Sequence, residues 1–310
     1  MKNVGLIGIP LGFAASKPGS EFGAAAIRKA DIRGKRLVEH IAELGYQVKD
    51  YGDVEIVNPN YIATKEESPK YLKEMNLSCL QIVEAMREIL AKGDFPVILG
   101  GDHSIAIGTF SSVSDFYRRD QGKQIGLIWF DAHADMNTPE TSPSGNLHGM
   151  PLAVLLGFGE ESLTNLCGYS PKLNPEFLAH IGGRDLDPGE KELIYKLGLR
   201  DHFFTMSDID RHGMAYCVEK AIEIVSKASG GYSVTFDIDI IDPRFAPGSG
   251  TLVRGGITYR EAHLALEIIA EAGGMLSFEM VEVNPTLDKE NITVELAGEL
   301  ILSALGKVIL

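Results

Sequence analysis

Only three cysteines occur in 310 residues, Cys79, Cys167 and Cys217, far apart and with no Cys-x-x-Cys. That scarcity excludes a disulfide framework and a thiolate metal site. Basic residues are also in short supply: 29 Lys and Arg stand against 43 Asp and Glu, a formal net charge of -14. Such a field repels nucleic acid and anionic membrane surfaces, so neither is expected as a partner, and it suits a cationic ligand better. No apolar run approaches the length of a membrane span. The opening MKNVGLIGIP is too short for the apolar core of a secretion signal and reads as a first β-strand. A cytoplasmic location is the expectation that follows.

What is present is ordinary globular material, 45% hydrophobic and 23% charged, enough to bury a core around one sheet. Short runs rich in Val, Ile and Phe alternate with longer helical stretches, the pattern of an α/β protein with a buried parallel sheet. Eight strands are predicted, near residues 4–10, 46–52, 95–101, 125–130, 178–182, 202–206, 233–238 and 275–283. Helices are predicted over 71–92, 104–117, 188–197, 208–229, 259–272 and 293–305. Ser207 is placed to cap the helix after it, and Gly273-Gly274 to end the helix that begins at Tyr259. No linker, repeat or composition shift divides the chain, so residues 1–310 read as a single domain. The longest irregular pieces, 53–69 and 137–148, are where function is commonly placed.

In open parallel sheets, ligands bind beyond the carboxyl ends of the strands. Each polar cluster of this chain falls at such an end. The apolar run 125–130 leads into Asp131-Ala132-His133-Ala134-Asp135; if the chain stays extended there, the side chains at i, i+2 and i+4 point the same way. The run 232–236 leads into Asp237-Ile238-Asp239, and the run 96–101 into Asp102-His103-Ser104. One Asp-x-Asp alone is most simply a turn. Three such clusters at strand ends gather four carboxylates and two imidazoles, an arrangement that is costly without a cation. The donor set suits a hard to borderline ion such as Mn2+, and its size suits two ions sharing bridging carboxylates. Two such cations together generate a hydroxide near neutral pH, the nucleophile of a hydrolytic centre.

At these residues the chain resembles the ureohydrolase family, whose signature blocks stand here at 100–104 (Gly-Gly-Asp-His-Ser), 131–135 and 237–243. The resemblance runs in family order from Gly8-Ile9-Pro10 to Glu282-Val283-Asn284-Pro285. The loops Asn137-Thr138-Pro139 and 144–149 follow the arginase version of the family. The resemblance implies a single-domain, three-layer α/β/α fold around an eight-stranded, mostly parallel sheet. It also implies two Mn2+ ions per subunit, assembly as a homotrimer or homohexamer, and hydrolysis of L-arginine to L-ornithine and urea. Carried over, it makes Asp131 and Asp237 bridging ligands, with His103 and Asp135 completing one site and His133 and Asp239 the other. Asp135 would also hydrogen-bond the leaving nitrogen, Glu282 would face the substrate guanidinium, and His148 would shuttle protons. Asn137 and Ser144 would bind the α-carboxylate, Asp187 the α-amino group, and Thr251 would also touch substrate. Asp187, just before Pro188, reads equally as a helix N-cap, and the two roles are compatible. A relative acting on agmatine or another guanidino compound, and a non-catalytic metal-binding protein on the same fold, are the alternatives.

The chain departs from the usual pattern at Ala24, Ala134, Ile240 and Leu252 without losing a ligand. Because a β-branched residue resists positive φ, Ile240 beside Asp239 is expected to alter the local turn.

Overall fold

A computed structural model describes residues 3–64 and 67–309. All eight expected strands are present: β1 (Asn3–Gly8), β2 (Gln47–Asp53), β3 (Phe95–Leu99), β4 (Gly126–Phe130), β5 (Leu178–Ile181), β6 (Phe203–Phe204), β7 (Tyr232–Asp237) and β8 (Met275–Val281). They form one sheet in the order β2-β1-β3-β8-β7-β4-β5-β6, and every pairing is parallel. Within each strand, alternate residues feed opposite faces. Val97, Leu99, Ile128 and Phe130 join one apolar layer with the helices Gly23–Lys29, Met214–Val225, Tyr259–Ala272 and Ile292–Ala304. Ile98, Leu127 and Trp129 join the other, with the helices Leu72–Ala91, Ala106–Gln121 and Pro151–Leu155. Burial on both faces is why the strands read as continuous apolar runs.

The differences from the sequence expectation lie at helix ends. The stretch 208–229 is two helices, Met206–His212 and Met214–Val225, because Gly213 takes φ 84 and ψ 156 between them. The first of these is capped by Thr205, not Ser207, through a reciprocal capping box with Asp208. Gly273, at φ 70, does end the helix from Tyr259. Short helices at Gly23–Lys29 and Leu37–Glu43 are additional to those expected. Of the irregular piece 53–69, Lys65 and Glu66 lie outside the described residues, as do Met1 and Lys2 of the opening segment. Ile240 needs no positive φ: it ends a single 3-10 turn, Ile238–Ile240, fully buried, so a β-branched residue is accommodated there without that strain.

Sheet order is what builds the site. The four central strands, β3-β8-β7-β4, are neighbours in space although far apart in sequence. Their carboxyl ends carry His103, Glu282, the pair Asp237 and Asp239, and the run from Asp131 to Asp135.

Candidate metal centre and substrate cavity

Beyond β3 the chain must pass close under Leu11: a Cβ on Gly101 would lie 1.8 Å from the Leu11 carbonyl oxygen, so only glycine fits. Asp102 then donates its N–H to that carbonyl at 2.7 Å and caps the following turn by accepting from Ser104 N at 3.1 Å. His103 is thereby delivered into the sheet end, 1% exposed and stacked on Trp129 at a centroid distance of 4.1 Å.

Beyond β4, Asp131 accepts from the Trp129 indole at 3.0 Å and from the backbone N–H of His133 at 2.7 Å. The second bond bends the chain, so the extended geometry expected for 131–135 is not what gathers these side chains. Asp135 reaches the cluster from a left-handed backbone at φ 53. Beyond β7, Asp237 accepts from Asp239 N at 2.8 Å in a 3-10 turn, which turns both carboxylates toward the same point. Arg184 pins the backbone there, donating to the carbonyls of Asp239 at 2.7 Å and Ile240 at 3.1 Å.

The six expected ligands do converge. His103 Nδ1 lies 3.0 Å from Asp131 Oδ2 and 3.2 Å from both Asp135 Oδ2 and Asp237 Oδ2. His133 Nδ1 lies 3.3 Å from Asp131 Oδ1 and 3.1 Å from Asp239 Oδ2. Two candidate ligand groups result, His103 with Asp131 and Asp135, and Asp131 with His133 and Asp239, each with its donor atoms within 4.8 Å of one another and both sharing Asp131.

Electrostatics tests whether a metal fits. Burial raises the Asp131 carboxyl, but the bonds from His103 and His133 outweigh it and hold Asp131 well below the usual range. Burial, then the Asp131 charge, push Asp135 well above that range; burial, then Asp239, do the same to Asp237. Burial alone would lower His103, yet Asp131 and Asp135 push it up to about 9. Buried carboxylates that resist ionising, and imidazoles that take up protons among them, mark a cluster short of positive charge. The all-oxygen-and-imidazole donor set accepts divalent cations that supply it.

The remaining expected residues divide between floor and rim. Glu282 sits beside the cluster at φ 61, 2% exposed, its Oε1 accepting from His103 N at 3.0 Å and lying 3.1 Å from His148 Nδ1. A cavity of about 180 Å3 opens above, lined by His103, His133, Asp135, Asp237, His148, Asn137, Ser144, Asp187 and Thr251 among others. Asn137 Nδ2 donates to Asp187 Oδ2 at 2.8 Å. Asp187 also caps the helix Pro188–Lys196 in a box with Glu190, so the expected N-cap is present. Thr251 lines the cavity while its hydroxyl is committed to Asp239 Oδ2 at 2.9 Å.

A sequence model described as the arginase family matches residues 2–306. The chain belongs to the arginase family. An arginase of Brevibacillus brevis is 44% identical over 309 residues, covering 100% of this chain and 99% of that protein. The crystal structure of Bacillus subtilis arginase is 43% identical with a TM-score of 0.90 and full coverage of both chains. The Entamoeba histolytica arginase solved with L-ornithine is 29% identical, with a TM-score of 0.87, 99% of this chain covered and 100% of that one. Membership of this metal-dependent family makes the chain a hydrolase of a guanidino C–N bond. The non-catalytic alternative falls with it.

Several residues that support the ligands lie outside the motifs: Trp129, Arg184, Thr235 and Glu279, with His180 Nε2 donating to the His133 carbonyl at 2.6 Å. The available signal was polarity inside an apolar strand, above all Glu279 in Met-Leu-Ser-Phe-Glu-Met-Val.

Proposed function

We propose that this chain, folded as a single domain over residues 1–310, hydrolyses L-arginine to L-ornithine and urea. His103, Asp131, His133, Asp135, Asp237 and Asp239 would hold two Mn2+ ions. The observation that carries the reading is the pair of ligand groups sharing Asp131 at the floor of a cavity whose rim bears an Asn137–Asp187 pair. Two such ions, when bound, supply a nucleophile near neutral pH and positive charge opposite the developing tetrahedral centre.

The chain's own groups do the rest. Glu282, buried against the cavity residues His103 and His148, would offer its carboxylate to the guanidinium, where the pairing is strengthened by low water content. Asp135 is placed to accept from the leaving nitrogen. Burial lowers the His148 imidazole, but Glu282 outweighs it and the net shift is upward. The ring would move protons between solvent and the metal site, one of them to the leaving amine. At the rim, Asp187 pairs with the substrate α-amino group, and Asn137 and Ser144 with its α-carboxylate. Agmatine lacks that carboxylate, and a site built for polar partners discriminates against an analogue that leaves them unmatched. The amino-acid product bound by the Entamoeba enzyme supports an amino-acid substrate here.

Assembly as a homotrimer or homohexamer rests on the family resemblance, and a cytoplasmic location on three free cysteines without a disulfide partner. Urea release from L-arginine and from agmatine, with and without added Mn2+, tests the substrate and the metal together. Mn2+-dependent preference for L-arginine is expected; faster turnover of agmatine would overturn the substrate assignment.

A further inference from the structure

The two ring nitrogens of His103 face different surroundings. Nδ1 faces Asp131, Asp135 and Asp237, whereas Nε2 lies 3.0 Å from the hydroxyl of Thr235. That hydroxyl has one proton, and it is committed elsewhere: Thr235 donates to Glu279 Oε1 at 2.8 Å. The other oxygen of Glu279 accepts from Thr109 at 2.6 Å. Both oxygens of Glu279 thus accept from hydroxyls, so Thr235 presents a lone pair, not its proton, to the imidazole. His103 Nε2 must then carry the hydrogen, which leaves the Nδ1 lone pair aimed at the aspartates. Thr235 and Glu279 are paired in register across β7 and β8, and both are nearly fully buried, at 3% and 4% exposure. A glutamate in the middle of a central strand, facing two hydroxyls, is a poor choice for packing alone. Burial pushes its carboxyl up, and Thr109, His103 and Thr235 oppose that shift.

We propose that Glu279 is a positioning residue which, through Thr235, locks His103 in the Nε2–H tautomer, so that Nδ1 is free to bind the ion held with Asp131 and Asp135. The proposal rests on the two-ion reading above. Its feature is a relay with a direction: carboxylate, hydroxyl, imidazole, ion. Partners of this outer kind commonly orient metal-binding histidines, and losing one costs about 10- to 100-fold in metal affinity. Glu279→Gln is the informative change because it alters little volume yet supplies a donor. The amide can donate to Thr235, whose proton then turns to His103 Nε2 and drives the ring hydrogen onto Nδ1.

The test is Mn2+ titration calorimetry on the full chain, for the wild type, Glu279→Gln, Thr235→Val, Thr235→Ser and the Glu279→Gln/Thr235→Val pair, with thermal melting to confirm folding. The wild type is expected to bind two ions. Glu279→Gln and Thr235→Val should each weaken one of them about 10- to 100-fold while sparing the other. Thr235→Ser, which keeps the hydroxyl, should match the wild type, and the double variant should be no worse than Thr235→Val alone, since both act through one relay. Unchanged affinity in both single variants, or losses that simply add, would overturn the relay. Long-range 15N spectra of labelled histidine, assigned with His103→Asn and recorded on metal-free protein above the pH at which the ring becomes neutral, read the tautomer independently: Nε2–H in the wild type supports the proposal, and Nδ1–H defeats it. A wild type that binds two ions but shows no tautomer shift in Glu279→Gln contradicts the relay alone. One that binds fewer than two contradicts the functional reading, leaving the tautomer to the 15N result.

Discussion

Asp131 and Asp187 are both carboxylates just beyond a strand or loop end, yet they live in different worlds. Asp131, 0% exposed, is fixed by an indole, a backbone N–H and two imidazoles, all projecting from the rigid ends of central strands. Asp187, at the cavity rim, is held by one side-chain amide and by a helix cap. The floor gathers charge and pays for it with a dense net of bonds; the rim spends few bonds and leaves its polar atoms able to meet a ligand. In the proposed function chemistry belongs to the sheet and recognition to the loops, and substitution can separate the two.

The largest effect should follow a cut through the floor. Asp131→Asn removes the one residue common to both ligand groups, and urea release should fall by more than the roughly 10- to 100-fold that losing an outer partner costs. A variant that kept near-normal turnover would erase the distinction between floor and rim. His148→Ala should lower the rate by about 10^2- to 10^4-fold, the usual worth of a positioned proton carrier, while metal analysis still finds both ions. Loss of metal in that variant would move His148 into the ligand set.

At the rim the expected change is in selectivity. Asn137→Ala should raise KM for L-arginine about tenfold to a hundredfold, the worth of a hydrogen bond to a charged group, and should barely alter agmatine turnover. Equal losses on both substrates would show that Asn137 supports the floor instead.

The smallest effect concerns stability. Glu190, 3% exposed, accepts from Met136 N at 3.0 Å and Asp187 N at 2.7 Å, joining the rim to the run that carries Asp135. Burial pushes its carboxyl up to about 7 from an ordinary 4.5. Between those values the folded state keeps a proton that the unfolded state releases, so stability falls as pH rises, by at most about 3 kcal/mol. Urea midpoints on either side of that window should diverge in the wild type and move closer together in Glu190→Gln. An identical pH slope in the two proteins would contradict the assignment.

The floor was legible in the sequence because its residue types are rare together and fall where apolar runs stop. Strand period and the parallel pattern placed all eight strands, and with them the ends that carry His103, Asp131 and Asp237. What the pattern could not supply was the bend at 131–135: the bond from His133 N to Asp131 is local, but Ala132 N also donates to Asp239 beyond β7 at 3.2 Å, and Asp135 takes a left-handed backbone where it meets His103 from beyond β3. Ile240 illustrates the converse. Its bulk looked disruptive beside Asp239, but it fills the space over Gly182, where a Cβ would stand 2.4 Å from its side chain. The rim was legible only by resemblance, because Asn137, Ser144 and Asp187 are ordinary turn and cap residues until the fold brings them over the ligand cluster.

Manganese counted per chain on purified protein tests the central claim most directly, in the wild type and in Asp131→Asn after equal dialysis. Two tightly held ions that both depend on Asp131 predict two Mn2+ per chain in the wild type and a joint loss of both in the variant. A single ion in the fully active wild type, or two ions that survive in Asp131→Asn, would contradict it.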